Sequence, residues 1–104
     1  MKIVILMFLE GDGPTVERLL SEAGVAAYSN VAVEGHGGGQ SGGWYGKAAP
    51  FRSRTVFAMM DEIKAKGLIE AVSNTSDTED SRHPIHAVQV CVDQAAQSGE
   101  MVSG

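Results

Sequence analysis

The sequence predicts an α+β sandwich with the element order β-α-β-loop-β-α-β. Three observations carry that prediction. The chain opens on a continuous apolar run of strand length, Lys2 to Leu9. Two later segments repeat apolar residues at helical spacing, each following a strand-like run. A glycine-dense stretch separates the two halves. With 104 residues the chain supports one hydrophobic core and not two, so residues 1–104 are read as a single domain.

Lys2 to Leu9 is apolar at nearly every position, as expected of a central strand covered on at least one face. Glu10-Gly11-Asp12-Gly13-Pro14 breaks it. Asp12 or Gly13 can cap a helix whose first position is Pro14, where a missing N–H costs nothing. Val16, Leu19, Leu20 and Ala23 then form one apolar stripe, and Gly24 supplies a left-handed stop. Ala26 to Glu34 reads as a half-buried strand in which Tyr28, Asn30 and Ala32 alternate with Ser29, Val31 and Val33.

Val33 to Gly46 holds seven of the thirteen glycines and the only Trp. Glycine loses the most entropy on ordering, so a run this dense is neither helix nor strand interior. Residues 35–50 are read as a long mobile loop, and loops of this length in a compact domain are usually functional or disordered. Arg54 to Met60 is the next strand, and Asp61 caps a second helix striped by Ala65, Leu68, Ile69 and Val72. Ser73 to Arg82 is polar and loop-like. Ile85 to Val92 is the last strand, with Val88, Val90 and Val92 on one face and Ala87, Gln89 and Cys91 on the other. Residues 93–104 are weakly patterned and read as a frayed tail or a short peripheral element.

Two β-α-β halves with helices on one sheet face give the split arrangement of the ferredoxin-like fold. A four-stranded sheet of this kind keeps one open face and two free edges, so association through the sheet is expected. The formal net charge of −5 argues against a nucleic-acid surface. The N-terminal apolar run is too short to span a bilayer and lacks a small-residue cleavage site. A single cysteine, Cys91, forms no internal disulfide, which fits a reducing, cytoplasmic setting. Cys91 itself reads as a small buried hydrophobe.

The run Leu19-Leu20-Ser21-Glu22-Ala23-Gly24-Val25, continued through Ser29, Val31, Val33, Glu34, Gly35, His36 and Gly37, resembles the PII signalling superfamily of trimeric nucleotide and metabolite sensors. Those proteins open their long T-loop with Gly-aromatic-Gly-x-Gln; here the stretch reads Gly35-His36-Gly37-Gly38-Gly39-Gln40, with His36 in place of the aromatic and one extra residue. The run His83-Pro84-Ile85-His86-Ala87-Val88-Gln89-Val90 looks like the last strand of a divergent PII-like group linked to cation efflux, and a sister group accompanies bicarbonate transporters. The resemblance implies a homotrimer and a small ligand, either an adenyl nucleotide (ATP, ADP or AMP) or a metabolite. It carries Ser29, Gly35, His36, Gly37 and Gln40 over as ligand-binding candidates. It also implies a regulated partner such as a membrane transporter, with no insertion of this chain into the membrane. The second half departs from the pattern: Ser76-Asp77-Thr78-Glu79-Asp80-Ser81 and Asp93-Gln94 stand where the family carries a glycine turn and phosphate-holding basic residues. The T-loop's usual lysine is missing, and Lys47 is the nearest substitute.

Trp44 and Tyr45, adjacent aromatics in the glycine loop with little to bury against, are candidates for a partner contact together with Lys47. The alternative reading is a divalent-metal-binding or metal-tolerance protein akin to the CutA-type trimers, with His36, His83 and His86 as ligands. None of the strong zinc spacings is present, and His83 and His86 in extended chain point to opposite faces unless Pro84 bends it. Gly37-x-Gly39-x-x-Gly42 lacks a following helix, and Gly46-Lys47-Ala48 lacks the rest of a phosphate-binding loop. No nucleophile is paired with a base, and no enzymatic activity is expected.

Overall fold

The computed structural model describes residues 1–36 and 51–102, the last three by backbone alone. Six strands and two helices follow one another: β1 (Lys2–Leu9), a 3₁₀ turn (Glu10–Asp12), α1 (Gly13–Glu22), β2 (Ser29–Gly35), β3 (Phe51–Met60), α2 (Glu62–Asn74), β4 (His86–Cys91), β5 (Ala95–Gln97) and β6 (Glu100–Val102). The first four strands form one antiparallel sheet in the order β2-β3-β1-β4, with both helices on one face. That order is compatible with the ferredoxin-like class. β5 and β6 form a separate two-stranded sheet, turned at Gly99 with φ of 95°.

Sequence pattern explains each element. Val4, Leu6 and Phe8 project from β1 toward the helices, and Val56, Ala58 and Met60 do so from β3. Against them pack Val16, Leu19 and Leu20 of α1 and Ala65, Leu68 and Val72 of α2, the predicted stripes. α1 ends in a Schellman turn: Gly24, at φ of 79°, donates to the Ser21 carbonyl at 3.0 Å, and Val25 donates to that of Leu20 at 2.9 Å. Val25 is thereby turned into the core. At the start of α2 the Asp61 Oδ1 accepts the Lys64 N–H at 2.8 Å, the predicted cap.

Several boundaries differ from the expectation. β3 begins at Phe51 rather than Arg54, because Phe51 and Ser53 find buried places that their own spacing does not announce. β2 runs from Ser29 to Gly35, so Gly35 ends a strand instead of opening a loop. α2 continues through Ser73 and Asn74, two residues assigned to loop. Asp12 occupies the helix-cap position of α1 without a side-chain cap bond; its carboxylate is engaged elsewhere.

β2 is exposed along most of its length rather than half-buried, because it is an edge strand that neither helix reaches. Cys91 is also exposed, not buried: it ends β4, opposite Lys2, beyond the cover of the helices. Lys2 Nζ donates to its Sγ at 3.0 Å, and that bond holds the Lys2 ammonium above the ordinary lysine pKa.

The face of the sheet away from the helices is apolar and open. Register places Ile3, Ile5 and Met7 of β1 beside Met59, Phe57 and Thr55 of β3, with Val90 and Val88 of β4 on the other flank. Val31, Phe57, Met59 and Val90 are each 43–50% exposed. On β4 the valines turn to this open side, while Ala87 alone of their neighbours reaches the core cluster.

Candidate functional site

The glycine-rich segment leaves the sheet at Gly35 and returns at Phe51, and those two residues are directly paired across β2 and β3. Their approach is close. A Cβ built on Gly35 would overlap the Phe51 ring, so any larger residue there requires the ring to move. The Phe51 ring also meets His83 edge-on, ring centroids 4.5 Å apart. His83 is 3% exposed, and the contact ties the base of the glycine segment to the polar stretch that precedes β4. Ser53, equally buried, donates its hydroxyl to the Phe8 carbonyl at 2.8 Å and fixes the start of β3 on β1.

Around this base lie two clefts that share Glu10, Phe51 and Arg52. One, about 420 Å³, is completed by Ala32, Val33, Glu34 and Ser53. The other, about 410 Å³, is completed by Leu9, Gly11, Glu79 and Asp80. Arg52 and Arg54 alternate with Ser53 on β3, which puts both guanidinium groups on the same side of the strand. Arg54 donates to Asn30 Oδ1 at 2.8 Å and meets Glu10 at 3.3 Å, while Arg52 stands 4.0 Å from the other Glu10 oxygen with its side chain 91% exposed. Exposed pairs of this kind contribute only about 0–1 kcal/mol. Arg52 is therefore chemically available to an anion at little cost to the fold.

A buried carboxylate braces the Glu79 stretch beside the second cleft. Asp12, 3% exposed, accepts the Glu79 N–H on Oδ1 at 2.6 Å, joining the 3₁₀ turn to the polar stretch. Its Oδ2 is buried with no hydrogen-bond partner among the described residues. The Glu79 carboxylate lies over Gly11, where a Cβ would clash with it. Asp80 is held below the usual carboxylate range, first by the Arg82 backbone N–H and then by the Arg82 side chain.

Of the sequence-derived ligand candidates, Gly35 sits in this base and His36 just beyond it, with its Nε2 2.5 Å from Glu34 Oε2. Ser29 does not join them within the chain: it begins the strand that Gly35 ends, about 20 Å away at the usual rise per residue. Gly37, Gln40, Trp44, Tyr45 and Lys47 lie outside the described residues. The three histidines occupy different settings. His36 is exposed beside Glu34, His83 is buried against Phe51, and His86 is on β4 opposite Met7. Among the described residues no group of three or more His, Cys, Asp or Glu side chains is gathered for a metal ion.

Phe51, Arg52, Arg54, Glu10 and Asp12 carry no site signal in the sequence, where Asp12 reads only as a helix cap and Arg54 only as the start of a strand. The Arg-Ser-Arg alternation is present in the sequence, but a strand read from Arg54 onward leaves Phe51, Arg52 and Ser53 outside its periodicity. The Asp12–Glu79 contact joins residues 67 positions apart, and no local pattern signals it. No protein-family model and no curated protein matches this chain, so its function is argued from the geometry together with the resemblance in its sequence.

Proposed function

We propose that this chain is a non-enzymatic, PII-like regulator with a ferredoxin-like subunit. It works in the cytoplasm as a homotrimer. A small ligand, an adenyl nucleotide or a metabolite, occupies the clefts at the base of the glycine-rich segment, which lie between subunits in the assembly. The segment itself, residues 35–50, contacts a membrane transporter or another regulated protein. The observation that carries this reading is the convergence of Gly35, Phe51 and the available Arg52 at the root of that segment, beside an exposed edge strand. A ligand held there touches both ends of the segment, so binding can bias its arrangement. No helix among the described residues is long and apolar enough to cross a membrane, in keeping with a regulator that approaches a transporter from outside the bilayer.

A thermal-shift screen of the purified protein against ATP, ADP, AMP, cyclic AMP, bicarbonate and divalent metals tests the ligand. A compound present at a hundred times its Kd adds about 2.7 kcal/mol to the native state, a shift of several degrees for a domain of this size. The expected result is a shift with an anionic compound that Arg52→Ala abolishes. A response to divalent metals alone, lost in His36→Ala, would replace this reading with metal binding. Deleting residues 38–46 is expected to abolish partner binding while leaving the assembly intact.

A further inference from the structure

We infer that the cleft shared by Arg52 and Glu79 takes a zwitterion, a free amino acid, with its carboxylate on the Arg52 guanidinium and its ammonium on the Glu79 carboxylate. The inference rests on the functional reading above and names the ligand class of the second of its two clefts. Charge is the first argument. That cleft, about 410 Å³, is lined by the carboxylates of Glu10, Glu79 and Asp80 and by the guanidinium of Arg52. A polyphosphate or a dianion meets repulsion from three carboxylates there, whereas a molecule carrying both signs finds a partner for each. The volume lies within the roughly 300–1,000 Å³ of small-molecule sites.

The pairings inside the cleft single out two contacts. Glu10 is engaged by Arg54 at 3.3 Å, and Asp80 by Arg82 at 3.4 Å. One group of each sign is left. Arg52 reaches Glu10 only at 4.0 Å, and among the described residues the Glu79 carboxylate takes part in no ion pair. A guanidinium can hold a carboxylate by two parallel N–H···O bonds, and a carboxylate accepts strongly from an ammonium. The chain also fixes where Glu79 stands. Its N–H is held by the buried Asp12, and its carboxylate lies over Gly11, in space that a Cβ on Gly11 would take. Gly11 lines the same cleft, so the missing side chain and the Asp12 tether serve one position of negative charge. Leu9 and Phe51 supply apolar wall for the amino acid's own side chain. Phe51 is paired with Gly35 at the root of the glycine-rich segment, which places the occupant beside that segment.

The test is a thermal-shift screen of the purified full chain against each common amino acid, with calorimetry giving the affinities. The tightest binder is then compared with its N-acetyl derivative, which lacks the ammonium, and with its decarboxylated amine. The expected result on the wild type is that each derivative binds about tenfold more weakly or worse, as for the loss of one charge-assisted hydrogen bond. Glu79→Gln and Gly11→Ala are expected to weaken the amino acid to a similar degree, the second because its methyl displaces the Glu79 carboxylate. Neither should change what binding the N-acetyl derivative retains, a selectivity that a merely structural effect would not produce. Far-UV circular dichroism confirms that both variants are folded. If either derivative matches the parent on the wild type, or both variants bind the amino acid as the wild type does, the zwitterion site is overturned. If no amino acid binds but a nucleotide or bicarbonate does so in an Arg52-dependent way, the ligand class is overturned and the functional reading stands. If no compound of any of these classes binds, both fall.

Discussion

Gly35 shows what a single missing Cβ can decide. It is buried at the end of β2 and lies against a Phe51 ring that also packs edge-on with His83. Gly35→Ala forces that ring to move, and the edge contact with His83 leaves it little room. We expect a loss of about 1–3 kcal/mol in urea unfolding, the usual cost of overpacking a filled site. Shortening the ring removes the conflict, so Gly35→Ala combined with Phe51→Leu should be less destabilised than the sum of the two single variants. A strictly additive result would mean that the approach of Gly35 to Phe51 carries no energetic coupling. The same variant tests the functional proposal at this scale: Gly35→Ala should weaken ligand-induced stabilisation more than a distant substitution of equal cost does.

At the scale of elements, the helix punctuation is where sequence and structure agree most closely. Gly24 is required by its φ of 79°, and Gly24→Ala should destabilise the protein by about 1 kcal/mol through strain at the end of α1. Asp61→Ala should cost a similar amount, roughly 0.5–2 kcal/mol, by freeing the Lys64 N–H. Chemical denaturation measures both, and an unchanged midpoint for either would show that the turn or cap is redundant. These elements were legible because their signals are local: Gly after an apolar stripe, Asp before one. The apolar runs of β1 and β4 were legible for the same reason. What escaped was set by contacts distant in sequence. Phe51 pairs with Gly35 and packs on His83, and the Asp12 carboxylate receives the Glu79 N–H from across the chain and makes no cap bond to its own helix. Cys91 looked like a core residue by type and alternation, and its exposure follows from where the helices stop covering the sheet. Of the candidate site, Gly35 is marked by the local glycine pattern, while the arginines and the aromatic pair at its root are not.

For the whole molecule, the open sheet face is the feature that most constrains how the protein exists in solution. Ile3, Ile5, Met7, Phe57, Met59, Val88 and Val90 form a contiguous surface with no charged residue among them. Contiguous exposed apolar surface of this kind typically marks an interaction site. Ile5 is central: it lies between Phe57 on β3 and Val88 on β4, and it points away from the Val4–Leu6 core. Ile5→Asp therefore places a charge on the open face without entering the helix side of the sheet. If copies of the chain meet through this face, burying an unpaired carboxylate there costs several kcal/mol and the assembly dissociates. If the face remains in water, the carboxylate stays hydrated, and the cost is limited to lost packing on the sheet. The expected outcome is a folded monomer by sedimentation, with wild-type far-UV dichroism and no response to the ligand that stabilises the wild type. A variant that assembles as the wild type does would exclude the sheet face from the interface.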